Sequence, residues 1–193
     1  MEKYIGKDRM DAVIVSNNVM PKELLEKYEI SILPLHIVLG DNEYKDGLEI
    51  LPDEIYAWSN ANKEAPKTSA ASISDAIELF ESNLKNYDEI VCFSISGQMS
   101  TTVNVMRMAA EELDAEDNIH IIDSENLSTG GGLLVIEAAI MASAGKSGKE
   151  IVNAIELLKP QVRASFIVDT LTFLHRGGRC SGVAALAGGA LKL

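Results

Sequence analysis

Apolar positions along the chain fall into two alternating kinds of stretch. Short runs rich in Ile and Val occur at DAVIVS (11–16), ISILPLHIVL (30–39), EIVCFSIS (89–96), IHIIDS (119–124) and SFIVDT (165–170). Runs of this length and composition, bounded by polar or glycine-containing turns, predict β-strands. Between them, apolar residues recur every three or four positions: Ile73, Ile77, Phe80 and Leu84; Val103, Met106, Ala110 and Leu113; Ile151, Ile155 and Leu158. That spacing places each set on one face of a helix with a core to cover. GLLVIEAAIMASAG (132–145) is apolar almost all round and stops at Gly145, which predicts a buried helix ended by glycine. Pro34 has no N–H to give a ladder, so it should bend or interrupt the 30–39 run or hold it at an edge. Strands alternating with helices predict an α/β fold, a parallel sheet between two helical layers.

Composition narrows the function more than the fold. A chain of 193 residues that is 47% hydrophobic and 24% charged is globular, of one large or two small domains, rather than disordered. Lys and Arg number 17 against 29 Asp and Glu, a formal charge of −12. Such a field repels nucleic acid and anionic membrane surfaces, so neither is expected as a partner. An anionic ligand would have to be held locally, by hydroxyls, backbone N–H groups or one or two cations. The two cysteines, Cys92 in an apolar run and Cys180 in a glycine-rich turn, do not make a disulfide framework. They are read as reduced thiols of a cytoplasmic protein. No secretory leader or membrane-length apolar run is visible, so stable membrane insertion is not expected.

The candidate chemistry lies in hydroxyl-rich stretches. FSISGQMSTT runs from a strand end into a helix start, placing Ser96, Ser100, Thr101 and Thr102 at the edge of a parallel sheet where ligands bind. A helix N-terminus there supplies N–H groups suited to an anion. APKTSAAS (65–72) leads toward another helix start, and the two ends could converge on one carboxylate or phosphate. The competing reading is that these are helix caps: Ser72 with Asp75 three residues on, and Ser100 or Thr101 for the next helix. Asp123 and Ser124, at a strand end facing the same edge, suit a ligand contact or a turn cap equally. STGGGLL (128–134) lacks the spacing of a phosphate loop and reads as small residues allowing close packing. Arg176 and Arg179 flank a Gly-Gly turn and could offer forked donors to an anion or simply be solvated. His36, His120 and His175 have no metal-ligand spacing, and no G-x-S-x-G elbow is present.

Taken in order, VIVSNNVMPKEL, ISILPLHIVL, EYKDG, PKTSAAS, FSISGQMSTT, IIDSENLSTGGG and TLTFLHRGGRCS resemble the DegV family of fatty-acid-binding proteins over nearly the whole chain. The resemblance implies a binding protein without catalytic residues, metal or cofactor. It implies a long-chain fatty acid such as palmitate or oleate in an apolar tunnel between two domains, its carboxylate held by hydroxyls. The bound acid would be presented to a separate fatty acid kinase that makes an acyl phosphate for phospholipid synthesis. The carry-over falls on Thr68, Ser69 and Ser100, with Arg176 and Arg179 matching the basic Gly-Gly turn. Residues 1–160 would form the α/β N-terminal domain and 161–193 the beginning of a second α/β domain. Family members continue well beyond VAALAGGALKL, so the chain is expected to be truncated, its missing wall supplied by a second copy, another polypeptide or nothing.

The family pattern is altered in places. The early turn, usually D-S-T-x-D-L-P, reads VSNNVMP, with Val15 and Val19 in the aspartate positions. Ala71 replaces the usual proline after T-S-x, and Thr101 stands where the family's S-G-T has glycine. Two other functions fit the same residues: a small-molecule phosphotransfer enzyme related to dihydroxyacetone kinase-like domains, and a truncated, non-binding interaction module.

Overall fold

The computed structural model describes residues 12–15, 20–165, 167, 171, 175 and 181. Arg176, Arg179 and most of the strand expected at 165–170 lie outside them. In chain order the first elements are β1 (Ala12–Val15), α1 (Lys22–Lys27), β2 (Ser31–Ile32), β3 (His36–Leu39), β4 (Asn42–Lys45), α2 (Pro52–Asn62) and β5 (Lys67–Ser69). They are followed by α3 (Ile73–Leu84), β6 (Ile90–Ser94), α4 (Thr102–Glu112), β7 (Ile119–Asp123), α5 (Ser128–Ser143), α6 (Gly148–Leu158) and a 3-10 turn, Lys159–Gln161. The chain divides into two compact units, Met1–Leu35 with Ala70–Ala164 and His36–Ser69 with Ser165–Leu193. Segment 36–69, inside the stretch that the sequence assigns to one domain, thus groups with the other unit.

The first unit is the expected three-layer α/β structure. Its four-stranded sheet has the order β2-β1-β6-β7, with every neighbouring pair parallel. β6 is buried at all positions, as a strand covered on both faces must be. Its side chains alternate between two cores. Val91 and Phe93 join Ile122 and the α5 and α6 residues Leu134, Val135, Ile151 and Ile155. Ile90 and Cys92 join Ala76 and Phe80 of α3 and Met106, Ala109 and Ala110 of α4.

Two expectations are refined. Pro34 does interrupt the 30–39 run, and more completely than a bend: β2 ends before it in the parallel sheet, and β3 begins after it in a different sheet. α5 begins at Ser128, so the glycine run lies inside the helix, where Gly130, Gly131 and Gly132 are buried. A Cβ on Gly130 would lie 2.6 Å from Asn126 Oδ1 and 2.9 Å from Ala164 Cβ, so small residues there do permit close packing. The helix is not buried all round, however, because Leu133 and Ile140 are exposed on its outer side. An apolar helix laid on one face of a sheet has only one face to cover. Gly145, at φ +76°, ends it in the left-handed region that glycine adopts freely.

The second unit contains a three-stranded antiparallel sheet of order β4-β3-β5. α2 packs Ile55 and Trp58 against Ile37, Leu39 and Ile50. No helix among the described residues is long and apolar enough to cross a membrane.

Candidate functional site

The strand order creates the site in the first unit. The chain leaves β1 for β2 on one side and returns to β6 on the other. Order therefore reverses between β1 and β6, the kind of position at which open α/β sheets bind ligands. Residues 95–101 connect β6 to α4 at this edge and carry Ser96, Ser100 and Thr101, with Thr102 opening the helix.

This connection is held by its own backbone and by the turn after β7. Ser96 N donates to Asn126 O at 2.8 Å, and Ser96 O accepts from Met99 N at 2.9 Å and Ser100 N at 3.1 Å. Ser96 Oγ accepts from Gln98 N at 3.3 Å. Gly97 N lies 3.1 Å from both carboxylate oxygens of Asp123, one of which also accepts from Glu125 N at 3.0 Å. Ser100 Oγ accepts from Thr102 N at 3.3 Å and is 2.8 Å from Thr102 Oγ1. Thr102 is fully buried, Ser100 half-buried and Thr101 exposed. Thr101 is the N-cap residue of α4 through its backbone alone; its side chain makes no cap bond. Of these four hydroxyls, Ser100 and Thr102 are in hydrogen-bonding contact with each other.

The turn after β7 gives Asp123 and Ser124 the capping bonds that one of the two readings expects. The Asp123 carboxylate takes backbone N–H groups, and buried Ser124 donates to Asn126 O and accepts from Asn126 N, both at 3.2 Å. Both residues belong to the turn. Behind them, Lys159 Nζ reaches Asp123 O at 3.0 Å, Glu125 Oε1 at 3.1 Å and Glu156 Oε2 at 2.8 Å. Burial pulls the lysine pKa down, but hydrogen bonds and charges from Glu156 and Glu125 outweigh it and raise the pKa above its ordinary value. With three acceptors for three N–H donors, this ammonium has no proton to offer an external anion.

Thr68 and Ser69 lie on a strand, not at a helix N-terminus. β5 pairs with β3 so that Thr68 stands opposite Ile37 and Ser69 opposite His36. Adjacent strand residues point to opposite faces, so the two hydroxyls cannot both face one ligand. Thr68 shares a face with Ile37, whose side chain enters the small core of this unit. Ser69 shares the other with His36 and Glu43: Ser69 Oγ donates to Glu43 Oε1 at 3.3 Å, and His36 Nδ1 is 2.8 Å from the same oxygen. Ser72, by contrast, caps α3 as the simpler reading of PKTSAAS expects. Its Oγ accepts from Asp75 N at 3.0 Å, and Asp75 Oδ2 accepts from Ser72 N at 3.3 Å and from the Ser72 hydroxyl.

Three residues important to this edge escape a reading by motif: Gly97, Asn126 and Lys159. Their only sequence signals are a glycine among serines, an asparagine after IDSE and a lysine before Pro160. Elsewhere in this unit, a cavity of about 230 Å³ lined by Arg107, Ala110, Glu116, Ile119 and Ile121 contains none of the candidate hydroxyls. Among the described residues, no group of three His, Cys, Asp or Glu side chains is placed to hold a metal ion.

Fold and edge together define the class: an open α/β protein with hydroxyl groups at the point where strand order reverses. Comparison with known proteins gives the family. The chain belongs to the DegV family, whose model, described as "Uncharacterised protein, DegV family", matches residues 12–193. It is 33% identical over 186 residues to a DegV domain-containing protein of Caldanaerobacter subterraneus subsp. tengcongensis, covering 96% of this chain and 66% of that relative. Its structure is similar to that of DegV, a fatty acid binding protein from Bacillus subtilis, with a TM-score of 0.81 and 30% identity. It is also similar to a fatty-acid-binding DegV family protein from Thermus thermophilus, with a TM-score of 0.79 and 30% identity. Each of these alignments covers 93% of this chain and 64% of the other. The chain spans just under two thirds of the length of the relatives it matches.

Proposed function

We propose that this chain binds a long-chain fatty acid of the palmitate or oleate type through an apolar tunnel, with the carboxylate held by Ser and Thr hydroxyls. In this proposal the bound acid is presented to a fatty acid kinase in the cytoplasm for acyl phosphate formation, and residues from 161 onward begin the second domain. One observation carries the reading: the Ser100–Thr102 hydroxyl pair stands at the strand switch point of a chain 30% identical to two fatty-acid-binding proteins. A hydroxyl has one proton and two acceptor lone pairs. Ser100 Oγ accepts from Thr102 N and lies 2.8 Å from Thr102 Oγ1, a contact in which either hydroxyl can donate; in the proposed bound state Thr102 donates and the Ser100 proton goes to the external carboxylate. Thr68 or Ser69, and the arginines Arg176 and Arg179, complete the proposed clamp.

Magnitudes divide the labour. About a dozen buried methylenes at roughly 0.8 kcal/mol each supply on the order of 10 kcal/mol, whereas a carboxylate at a helix N-terminus adds about 0.3–1 kcal/mol. The acyl chain provides the affinity and the hydroxyls the orientation, which suits a protein of charge −12 whose overall field disfavours an anion.

Native and denaturing mass spectra of the purified protein test the reading. A mass difference equal to a fatty acid, lost on denaturation, supports it, and the native spectrum reports any association between copies. A bare chain that also takes up no added palmitate overturns it. In a lipid-loaded protein, Thr68→Ala with Ser100→Ala should retain most of the lipid while loosening its carboxylate; complete loss of lipid would contradict the division of labour. Because Thr68 and Ser69 face opposite ways, only one of the single variants Thr68→Ala and Ser69→Ala should disturb the carboxylate.

A further inference from the structure

We infer that Asp123 is a positioning residue: it acts through Gly97 to fix the hydroxyl-bearing connection between β6 and α4. This rests on reading that connection as part of the carboxylate clamp. The connection has two bonds to the turn after β7, Gly97 N to the Asp123 carboxylate at 3.1 Å and Ser96 N to Asn126 O at 2.8 Å. The Asp123 bond is charge-assisted, its single N–H shared between both carboxylate oxygens. Approach is close enough to require glycine. A Cβ on Gly97 would lie 2.6 Å from Asp123 Oδ2 and 3.2 Å from Val103 Cγ1.

Asp123 is itself held from behind. Glu125 N donates to Oδ1 at 3.0 Å, and buried Lys159 donates to the Asp123 carbonyl at 3.0 Å. Two backbone donors occupy the carboxylate, so its oxygens are committed to the loop. Through Gly97, the tether sets where the adjoining Ser96 stands and where the turn delivers Ser100, whose N–H is bonded back to Ser96 O at 3.1 Å. A residue with a carboxylate at the mouth of an anion site thus serves that site by fixing its donors, without touching the ligand.

Asp123→Asn keeps the shape but turns an N–H donor toward Gly97 N–H, or leaves a single neutral acceptor. In the full 193-residue chain labelled with nitrogen-15, exchange of the Gly97 amide should quicken about tenfold or more, while amides in the middle of α4 and α5 keep their protection. With carboxyl-carbon-13 palmitate bound, the carboxyl resonance should move or broaden at unchanged lipid stoichiometry, a change that loss of global stability alone would not produce. Unchanged Gly97 exchange overturns the inference, as does faster exchange with an unmoved carboxyl resonance. Failure of the wild-type protein to take up palmitate is a different result: it overturns the fatty-acid reading, and the hold of Asp123 on the connection is then judged by Gly97 exchange alone. If Asp123→Asn does not fold, a double-mutant cycle decides. Gly97→Ala should destabilise the wild type more than it destabilises Asp123→Ala, where the colliding oxygen is gone, and strictly additive effects would overturn the direct contact.

Discussion

Gly148 opens α6 directly against the ring of His120. A Cβ built there would lie 2.0 Å from His120 Cδ2 and 2.3 Å from Nε2, so the ring would have to leave its place beside Glu89. Gly148→Ala should therefore lower the free energy of unfolding by about 1–3 kcal/mol, the usual range for overpacking, as read from urea denaturation. An unchanged midpoint with an unchanged slope would mean that the ring moves at no cost. Hydroxyls tell a less direct story, because Ser72 and Ser100 both stand just before helices and look alike in sequence. Ser72 is committed to Asp75 as a cap, while Ser100 satisfies Thr102 N and pairs with the Thr102 hydroxyl. Nothing in residue type separates the two; what separates them is the neighbouring acidic side chain in one case and the buried threonine in the other. Thr68 and Ser69 are legible as hydroxyls but not as a strand, since three residues with no apolar alternation carry no periodic signal.

Elements are tied to one another by a few side chains whose charge matters. Glu89, just before β6, accepts from Gly148 N at 2.9 Å with one oxygen and is 3.3 Å from His120 Nε2 of β7 with the other, joining the start of α6 to the sheet. Burial is the largest influence on its pKa and pushes it up. The Gly148 N–H, the His120 hydrogen bond and the charges of His120 and Lys149 together outweigh burial, and the pKa lies below its ordinary 4.5. The sign follows from linkage: a carboxylate held lower in the folded state contributes stability that is fully present above its unfolded pKa and is lost as pH falls through the folded one. Urea midpoints should thus be insensitive to this group above pH 4.5 and decline below it, with a shallower decline in Glu89→Gln. Equal slopes for the two proteins across the acid range would remove Glu89 from that role. Helices α3 to α6 were legible because each has a long apolar stretch with a sheet face to cover. α2 was not, having no buried residue and only Ile55 and Trp58 turned toward its core.

Across the whole molecule, burial predicts an order of local stability. β6 is buried at every position, sits between β1 and β7, and contributes to both cores of its unit. Among the described residues, β5 is exposed at all three positions and pairs with one strand, β3. Amide exchange should be slowest in β6 and much faster in β5, because exchange from a strand covered on both faces requires the largest opening. Equal protection in the two strands would show that the units open together. The amino-acid sequence by itself determined the type of most elements, the interruption at Pro34, the glycine end of α5 and the family, because helix and strand periods and backbone permissiveness are local properties. The tertiary structure alone decided three things: that segment 36–69 builds an antiparallel sheet, that Thr68 and Ser69 face opposite ways, and that Asp123 meets Gly97. Each depends on partners distant in sequence, as Asp123 and Gly97 are by 26 positions. A pairing register or a close approach of that kind exists only once the intervening chain has folded, so no local pattern records it.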